Sequence, residues 1–424
     1  MKILVIVGKR SEIIKMAPII EELSKNKIPF SLVDVQEQKG WFMKGSHFLD
    51  LDYPSPDFTV KFDANSFQSL VSDLADIMCE EEPDCVISSG ASETTCAAVL
   101  TSNLLKIPFL HIEAGYRTYD LTSQAEIRRE VIDALSTYCF APTRNAFSNL
   151  LIEGFNRSRV FLSGSTVIDS LTKLLDFART NSQILEELDL ENEPYCLITI
   201  HKPENITENR MRILFEVLQS VDCYFVMPTH PNTHKLLKES GIYDDFMSLE
   251  NLLMIEPLGY VDFLALEYSS QFVITDSGTV MEESAFLGKP VVFVGIPERR
   301  ELIEQGISFF SELNKEEILI RIKKAREAKV SRSKIYRIFG YGNASEKIVD
   351  RINRIELHYN PKMGSEIAGK LINFRVISVS EPLNQLREKF GSKLLTAVRD
   401  RKLITDPKIS PSHILIIELS LIHI

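Results

Sequence analysis

Charged and polar side chains follow several apolar runs of this sequence at the point where each run ends. The run Ile3–Val7 is followed by Gly8, Arg10 and Lys15, a turn whose backbone N–H groups and two cations can hold an anionic group. This turn lacks the G-x-G-x-x-G pattern, which argues against a dinucleotide-binding fold that begins here. A helix start with a solvated basic pair is the alternative interpretation.

A carboxylate and a cation follow the apolar run Phe109–Ile112. Glu113 comes directly after this run, and Arg117 is close enough along the chain to be its ion-pair partner. An acid at the carboxyl end of a buried parallel strand lies at the edge of the ligand cleft in α/β proteins. The segment therefore predicts a functional carboxylate, with a surface ion pair as the alternative.

Two histidines end apolar runs in the second half of the chain. His201 follows the run Cys196–Ile200, and His230 follows the run Tyr224–Met227. A single histidine is more often a packed or surface residue than a catalytic one. Two of them at the carboxyl ends of strands in one half of the chain favour a functional site.

The clearest segment runs from Thr275 to Ala285. Ser277 and Gly278 stand where a helix opens after a strand, so their N–H groups can hold a diphosphate. Glu283 falls about one and a half turns into that helix, where a carboxylate can accept two ribose hydroxyls. An ordinary capped helix is the alternative interpretation.

Parallel strands and helices must position these residues. Short apolar runs alternate with amphipathic helical patterns, which is typical of parallel sheets covered by helices on both faces. The predicted strands are Ile3–Val7, Phe30–Val35, Cys85–Ser88, Phe109–Ile112, Cys139–Ala141, Val160–Leu162, Cys196–Ile200, Tyr224–Met227, Leu253–Ile255, Phe272–Thr275 and Val291–Val294. The predicted helices include Ser69–Glu81, Thr94–Leu105, Glu126–Leu135, Asn145–Glu153, Met211–Ser220, Asp262–Tyr268, Val280–Leu287 and Glu316–Glu327.

Two doubly wound α/β domains are therefore predicted, and they face a central cleft between the carboxyl ends of their sheets. The first domain covers residues 1–180 and the second covers residues 195–357. An acidic segment with few periodic apolar positions, residues 181–194, is the predicted linker. A tail, residues 358–424, follows the second domain.

Composition excludes several classes of function. The 424 residues include 48 Lys and Arg against 59 Asp and Glu, a formal net charge of −11, so nucleic acid or an anionic membrane is not expected as the main partner. No apolar run reaches the ~18–20 residues of a membrane-spanning helix, and the N-terminus lacks the form of a signal peptide. Six scattered cysteines without metal-ligand spacing fit reduced core residues, so we expect a cytoplasmic protein without a metal.

Taken together, the motifs resemble those of the non-hydrolysing UDP-N-acetylglucosamine 2-epimerases, whose fold is similar to that of the two-domain GT-B glycosyltransferases. The family patterns G-T-R-P-E-x-I-K-M-A-P, H-x-E-A-G-x-R, H-R-x-E-N and D-S-G-G-x-Q-E-E correspond to segments that begin at Gly8, His111, His201 and Asp276. The patterns T-E-R-P-E and N-P-[FY]-G-x-G correspond to segments 297–301 and 338–342. They occur in the family's order over residues 1–357.

The resemblance implies a reaction that eliminates UDP across C1–C2 of the sugar and adds it back after C2 has changed face. UDP-GlcNAc and UDP-ManNAc are thereby interconverted, without a cofactor, by a homodimer that binds the sugar on its first domain and UDP on its second. The implied catalytic residues are Glu113, His201 and Lys15. The implied UDP-binding residues are Arg10, Lys15, His230, Ser277, Gly278 and Glu283.

Two carboxylates that this chemistry needs are missing. The family's G-D-T-x-T reads G-A-S-E-T at 90–94, and its P-E-E-x-N-R reads Q-A-E-I-R-R at 124–129. Ala91 and Ala125 therefore stand where acids are expected. The neighbouring Glu93 and Glu126 are candidate catalytic substitutes, although one residue turns a helix by about 100°, so Glu126 is not expected to point where its neighbour would.

Three functions therefore remain open. The leading interpretation is an epimerase, the second is a UDP-sugar-binding protein that has lost the chemistry, and the third is a GT-B glycosyltransferase, which needs an acceptor site and only one base. The family's Q-H pair, which helps to bind a second, regulatory UDP-sugar, reads Gln36-Glu37 here. A carboxylate near an anionic ligand is repulsive, so substrate activation is expected to be lost or altered.

The tail does not follow the epimerase pattern. Segments around Glu381-Pro382 and 393–407 resemble part of a nucleotide-sugar dehydrogenase, but without a glycine fingerprint that could bind NAD. The last six residues match the translation of a sequencing-library adapter. We therefore expect the tail to be either a truncated dehydrogenase fragment or an artefact, and the natural C-terminus to be missing or altered.

Overall fold

The computed structural model describes residues 1–37, 50–63, 66–297, 299–312 and 314–355, together with two strands at 376–379 and 414–417. Within these ranges, two parallel sheets carry helices between their strands. The predicted α/β class with two doubly wound units is confirmed.

The first sheet has seven parallel strands in the order β3-β2-β1-β4-β5-β6-β7. These are β1 (Ile3–Val7), β2 (Phe30–Val35), β3 (Phe58–Val60), β4 (Cys85–Ser89), β5 (Phe109–Ile112), β6 (Tyr138–Ala141) and β7 (Val160–Leu162). Every residue of β1 is buried, as its unbroken apolar run predicts. The strand order reverses between β1 and β4, and ligands of doubly wound sheets bind outside the carboxyl ends of strands at such a point.

The second sheet has six parallel strands in the order β10-β9-β8-β11-β12-β13. These are β8 (Tyr195–Thr199), β9 (Tyr224–Pro228), β10 (Leu252–Ile255), β11 (Phe272–Thr275), β12 (Val291–Val294) and β13 (Ser308–Ser311). The order reverses between β8 and β11. The segments after these two strands carry His201 and Ser277, so the predicted site residues follow the reversal point here as well.

The first-half helices are α1 (Arg10–Lys25), α2 (Phe67–Glu81), α3 (Glu93–Leu104), α4 (Gln124–Leu135), α5 (Arg144–Ile152), α6 (Thr166–Asn181) and α7 (Ile184–Glu187). The second-half helices are α8 (Glu208–Ser220), α9 (Pro231–Glu239), α10 (Tyr243–Met247), α11 (Tyr260–Ser269), α12 (Gly278–Leu287), α13 (Arg300–Glu304), α14 (Lys315–Glu327), α15 (Arg332–Phe339) and α16 (Ala344–Ile352). All eight predicted helices are present, and each begins one to three residues earlier than predicted. The exact first residue of a helix is the least certain part of a prediction from apolar periodicity.

Some elements were not predicted. Strands β3 and β13 are short edge strands, which carry little apolar signal. Helix α7 lies inside the predicted linker, where Ile184 and Leu190 are buried against Tyr195 and Phe263. Helix α16 lies in the range predicted for the second domain but packs against α1 and α6 of the first. The exact limits of the two domains remain a prediction.

The described part of the tail consists of two paired strands. Strand β14 (Val376–Val379) pairs in antiparallel fashion with β15 (Ile414–Ile417). The remainder of the predicted dehydrogenase-like tail lies outside the described residues. None of the helices in the described ranges is long and apolar enough to cross a lipid bilayer.

Candidate active site between the two sheets

A cavity of about 670 Å³ lies between the carboxyl edges of the two sheets. Its first-sheet wall contains the turns after β1 and β4, Glu113 after β5, and the start of α4. Its second-sheet wall contains the loop after β8, the residues after β9 and the start of α12. This volume falls within the range of small-molecule sites, about 300–1,000 Å³.

The turn after β1 is organised by a buried carboxylate. Glu12 Oε2 accepts hydrogen bonds from the N–H groups of Gly8 at 2.7 Å and Lys9 at 3.1 Å. Burial and the nearby charge of Glu37 raise the pKa of Glu12. Helix α1 begins directly after this turn. Its residues Arg10 and Lys15 both line the cleft, which is the location predicted for them.

Glu113 lies between two cations, one from each half of the molecule. Lys15 Nζ contacts its Oε2, and Arg299 Nη2 contacts its Oε1. Arg299 also donates to Glu282 Oε1 at 2.6 Å and lies 4.0 Å above the ring of Tyr116. These contacts hold the predicted carboxylate in place and join the two walls of the cleft.

Arg117 belongs to a separate buried network, so the predicted Glu113–Arg117 pair is wrong. Its guanidinium binds Asp133 and Glu153, each at 2.7 Å, and His111 Nδ1 contacts the same Asp133 at 2.6 Å. The chain bends sharply after β5, where Glu113 has a φ of +70°. Sequence spacing does not show this bend, and Arg117 is not among the residues that line the cleft.

Both positions with missing acids line the cleft. Ala91 follows β4, and Ala125 lies in the first turn of α4. Glu126 is fully buried and does not line the cleft. Its carboxylate accepts hydrogen bonds from the N–H of Tyr119 at 2.9 Å and from Arg129 at 2.8 Å. This geometry supports a structural role for Glu126, as its position one residue along the helix predicts.

Glu93, the other candidate substitute, also lies outside the residues that line the cleft. Its Oε1 is 3.8 Å from Arg128 Nη1. Burial raises the pKa of this carboxyl, and the charge of Arg128 opposes that shift. Arg128 itself lines the cleft, and its Nε donates to the carbonyl of Ala91 at 2.9 Å.

Asp276 holds the loop that carries His201. This fully buried carboxylate accepts hydrogen bonds from the N–H groups of His201 at 3.1 Å and Lys202 at 2.8 Å, and from the amide of Asn205 at 3.1 Å. His201 Nδ1 is 3.3 Å from Asp276 Oδ1. The rings of His201 and His230 stack with their centroids 5.2 Å apart, so the two predicted histidines meet in the cleft.

Both histidines are neutral near pH 7. Desolvation in the cleft lowers the pKa of His201, and the nearby cations Lys202 and Arg10 lower it further against the attraction of Asp276. Desolvation and the neighbouring His201 lower the pKa of His230 to about 3. Neutral rings can accept protons or hydrogen bonds from a ligand.

The start of α12 has the predicted form. Helix α12 begins at Gly278, and Ser277 caps it by accepting a hydrogen bond from the N–H of Val280 at 3.4 Å. Glu283 is buried and accepts a hydrogen bond from the hydroxyl of Tyr260 at 2.6 Å. Burial raises the pKa of Glu283 to about 7, against the lowering effect of the Tyr260 hydrogen bond and of Arg10.

The structure thus brings most predicted site residues to one cleft. The predicted residues that line it are Arg10, Lys15, Glu113, His201, His230, Ser277, Gly278 and Glu283. Sequence reasoning gave no role to Arg299, Tyr260 or Asp276, although Arg299 and Asp276 lie in segments that resemble family motifs. In the described part of the chain, no group of three or more His, Cys, Asp or Glu residues is arranged to hold a metal ion.

Known proteins match most of the chain. The profile of the family described as UDP-N-acetylglucosamine 2-epimerase matches residues 48–353. The UDP-N-acetylglucosamine 2-epimerase of Methanocaldococcus jannaschii is 32% identical over 363 residues, 82% of this chain and 98% of that protein. The enzyme of the same name from Neisseria meningitidis is 33% identical over 382 residues, 83% of this chain and 99% of its own.

Solved structures match equally well. The Methanocaldococcus jannaschii UDP-GlcNAc 2-epimerase in complex with UDP-GlcNAc and UDP has a TM-score of 0.79 at 30% identity, over 84% of this chain and 100% of that one. The Neisseria meningitidis enzyme bound to UDP-GlcNAc has a TM-score of 0.76 at 31% identity, with the same coverage. These likenesses confirm the GT-B-like arrangement and the resemblance read from the motifs. The chain belongs to the UDP-N-acetylglucosamine 2-epimerase family.

Proposed function

We propose that this protein is a UDP-N-acetylhexosamine 2-epimerase that interconverts UDP-GlcNAc and UDP-ManNAc. The observation that carries the proposal is that a single cleft contains both Glu283 of the second sheet and the Lys15–Glu113 ion pair of the first. A nucleotide-binding wall around Glu283 faces the Lys15–Glu113 ion pair of the first sheet. Two solved relatives with this fold hold UDP-GlcNAc, and one of these also holds UDP.

In this proposal the second sheet binds the nucleotide. The N–H groups at the start of α12, next to Ser277 and Gly278, face the diphosphate, because the positive end of a helix favours an anion. The Glu283 carboxylate accepts the ribose hydroxyls. Arg10 and Lys15 lie across the cleft and stabilise the charge of the diphosphate.

The reaction then runs in two opposite steps. A base removes the proton from C2, the electron pair of that C–H bond forms the C1=C2 double bond, and the C1–O bond breaks as UDP leaves with its electrons. Re-addition of UDP at C1 and of a proton at the other face of C2 gives the epimer. Glu113 and the neutral His201 line the cleft and carry the C2 proton, while Lys15 stabilises the leaving diphosphate.

A second candidate function is supported by a separate observation. Ala91 and Ala125 both line the cleft, and neither Glu93 nor Glu126 replaces them there. A protein with this cleft can bind a UDP-sugar and yet fail to move the C2 proton. The second candidate is therefore a UDP-sugar-binding protein without turnover.

Proton exchange separates the two candidates. The full chain is incubated with UDP-GlcNAc in D₂O, and the C2 position is followed by NMR. An epimerase places deuterium at C2 of both UDP-GlcNAc and UDP-ManNAc. Binding of UDP without any deuterium at C2 contradicts the proposal and supports the second candidate.

Variants at Glu113 and Glu208 sharpen this test. Glu113→Gln is expected to abolish the exchange, and a UDP titration of the same variant shows whether its cleft is intact. Glu208 is exposed on α8 and pairs with the surface residue Arg212, so Glu208→Gln is the matched control with unchanged exchange.

The proposal includes assembly and location. We propose a homodimer built through first-domain helices, as the family resemblance implies. Light scattering at several concentrations tests it, and a monomer at every concentration contradicts it. The six cysteines are free, which supports a cytoplasmic location. We also propose that neither nucleic acid nor a membrane is a partner of this protein.

A further inference from the structure

One arginine between the two sheets binds two carboxylates at once. Arg299 Nε donates to Glu282 Oε1 at 2.6 Å, and Arg299 Nη2 contacts Glu113 Oε1. None of the three side chains is more than 9% exposed. Charges that are removed from water in this way act on one another more strongly than charges at the surface. The division of Arg299 between the two carboxylates therefore affects the properties of both.

Arg117 uses the same two nitrogen atoms on a single carboxylate. Its Nε donates to Glu153 Oε1 at 2.7 Å, and its Nη2 donates to Glu153 Oε2 at 2.8 Å. Nε and Nη2 lie on one edge of the planar guanidinium, and two parallel N–H bonds from one edge are the strong form of this contact. Arg299 departs from this form, because Glu282 accepts from its Nε while its Nη2 contacts Glu113.

Contacts from the first half of the chain hold Glu282 beside Arg299. Glu282 Oε1 also accepts a hydrogen bond from the hydroxyl of Tyr116 at 3.1 Å, and its Oε2 accepts one from the hydroxyl of Ser165 at 2.6 Å. Three donors thus converge on its two oxygens, which suits the ionised carboxylate because this form only accepts. Burial raises the pKa of Glu282, and the charge of Arg299 and the hydrogen bond from Ser165 oppose that rise.

The strength of the contact from Arg299 determines how basic Glu113 is. Charged and titratable groups face Glu113 from several elements: Lys15 from α1, Arg299 from the residue before α13, Glu282 from α12 and Tyr116 from its own segment. A nearby cation makes a carboxylate a weaker base. Lys15 already contacts Oε2 of Glu113, so two parallel bonds from Arg299 would weaken this base further.

We propose that Glu282 is a positioning residue of the epimerisation: it holds Nε of Arg299 away from Glu113, so that Glu113 stays basic enough to take the proton from C2. The inference rests on the proposed function for the role of Glu113. Glu282 itself is fully buried and does not line the cleft, so it acts through Arg299 and not on the substrate.

Glu282→Gln tests the proposal because it keeps the shape of the side chain and removes its charge. The full chain is prepared with ¹³C at the side-chain carboxyl carbon of glutamate, and the signal of Glu113 is assigned by its loss in Glu113→Gln. A pH titration followed by NMR then reports on Glu113 in the absence of any turnover. The midpoint for Glu113 is expected to lie about one pH unit lower in Glu282→Gln, the lower end of the effect of an opposite charge. An unchanged midpoint overturns the proposal.

Deuterium exchange at C2 of UDP-GlcNAc is the second readout. At saturating substrate, Glu282→Gln is expected to lower the exchange rate about three- to tenfold, because a weaker base takes the proton more slowly. The Kd for UDP is expected to change less than about twofold, because Glu282 lies outside the residues that line the cleft. A loss of UDP affinity as large as the loss of exchange would show that Glu282 only supports the shape of the cleft, which overturns the proposal.

Glu153→Gln is the matched control. It makes the same change to a carboxylate that Arg117 binds through Nε and Nη2, and neither residue lines the cleft. The exchange rate and the midpoint for Glu113 are expected to equal those of the unsubstituted chain. A similar loss in Glu153→Gln would assign the effect to the removal of any buried ion pair and overturn the proposal.

A double variant separates an action through Arg299 from a direct effect of charge. Loss of the Glu282 charge also makes Glu113 a weaker base directly, since two carboxylates that lie close together disfavour each other's ionised form. Glu282→Gln combined with Arg299→Gln removes both charges, so it leaves neither of the two buried and unpaired and covers a failure of Glu282→Gln to fold. The midpoint for Glu113 is expected at or above that of the unsubstituted chain. A midpoint below it shows a direct effect and overturns the role of Glu282 through Arg299.

The two readouts separate this inference from the proposed function. Exchange in the unsubstituted chain, with no shift of the Glu113 midpoint in Glu282→Gln, overturns the inference and leaves the proposed function intact. A shifted midpoint with no exchange in any sample supports the action of Glu282 on Glu113 and overturns the proposed function.

Discussion

The two walls of the cleft differ in how closely their residues match the family's motifs. On the second wall, Asp276 binds the loop of His201 through several hydrogen bonds, and Glu283 is fixed by Tyr260. On the first wall, Glu113 and Lys15 remain paired, but Ala91 and Ala125 leave two acid positions empty of a carboxylate. The second wall is an interlocked hydrogen-bond network, whereas Ala91 and Ala125 lie on the surface of the cleft.

This difference teaches that binding and chemistry can change separately in one cleft. Removing Asp276 would leave the buried amide of Asn205 and the partly buried N–H groups of His201 and Lys202 without this acceptor, at up to about 1–3 kcal/mol for a fully buried group. An alanine at the surface of the cleft needs no hydrogen-bond partner, so Ala91 and Ala125 are compatible with the fold. On the proposed function, the wall that meets the sugar can therefore diverge while the wall that binds the nucleotide stays constrained.

The largest expected effect comes from restoring the lost acids. Ala91→Asp combined with Ala125→Glu is expected to raise the rate of C2 deuterium exchange about 100-fold or more, since one general acid or base contributes roughly 10²–10⁴. Each single variant is expected to raise the exchange rate much less than it would if the two acids acted independently, because both acids serve the transfer of the same proton. NMR in D₂O with UDP-GlcNAc measures the rates.

This double variant can also contradict the comparison of the two walls. If it binds UDP but gains no exchange, the first wall lacks more than the two acids, and the protein is a binding protein. If the single variants gain as much as the double, the two positions do not act on one proton.

A substitution on the second wall is expected to change the affinity for UDP. Glu283→Ala should weaken UDP binding by about 1.5–3 kcal/mol, the range for a hydrogen bond to a charged group, or about 10- to 150-fold in Kd. Calorimetry measures the change from a starting Kd in the micromolar range, about 7–8 kcal/mol. An unchanged Kd would show that the ribose does not bind at Glu283.

The pH dependence of binding sharpens the same assignment. The pKa of Glu283 is raised to about 7, so the carboxyl is mostly protonated below this pH and mostly ionised above it. If the ionised form accepts the ribose hydroxyls, the affinity for UDP-GlcNAc rises roughly tenfold between pH 6 and pH 8. The diphosphate diester of this ligand has no proton to lose in that range.

Glu283→Gln is the control for this pH profile and is expected to flatten it. The pKa of His230 is lowered to about 3, so its ring contributes no titration in this range, and desolvation shifts the pKa of His201 towards the acid side. A slope that persists in Glu283→Gln assigns the titration to another group.

The smallest effect is expected at Glu93. Glu93→Gln should change the exchange rate by less than about threefold, because this carboxylate lies outside the residues that line the cleft. A loss of exchange in this variant would mean that Glu93 moves into the cleft when substrate binds and acts as the missing base.

Local sequence patterns predicted the elements and the strand-end residues of the site, for a physical reason. Buried parallel strands are unbroken apolar runs, and their carboxyl ends share one edge of a sheet, so Glu113, His201 and Ser277 could be assigned to clefts. The short edge strands β3 and β13 contain too few residues to show such a pattern.

Contacts between distant segments could not be predicted in this way. The partner of Glu113 was taken from the nearest cation in sequence, Arg117, whereas the backbone bend at Glu113 places Lys15 and Arg299 there instead. Arg299 is 186 residues away along the chain. Its position depends on how the two halves meet, which no local spacing encodes.

The most direct test of this account compares the intact chain with the Methanocaldococcus jannaschii UDP-N-acetylglucosamine 2-epimerase under the same conditions. Both are measured for their affinity for UDP and for deuterium incorporation at C2 of UDP-GlcNAc. We predict UDP dissociation constants in the same micromolar range but exchange at least about 100-fold slower in this chain, the lower end for the loss of a general acid or base. Exchange as fast as that of the relative would contradict the assigned role of positions 91 and 125, and an inability to bind UDP would contradict the nucleotide-binding wall.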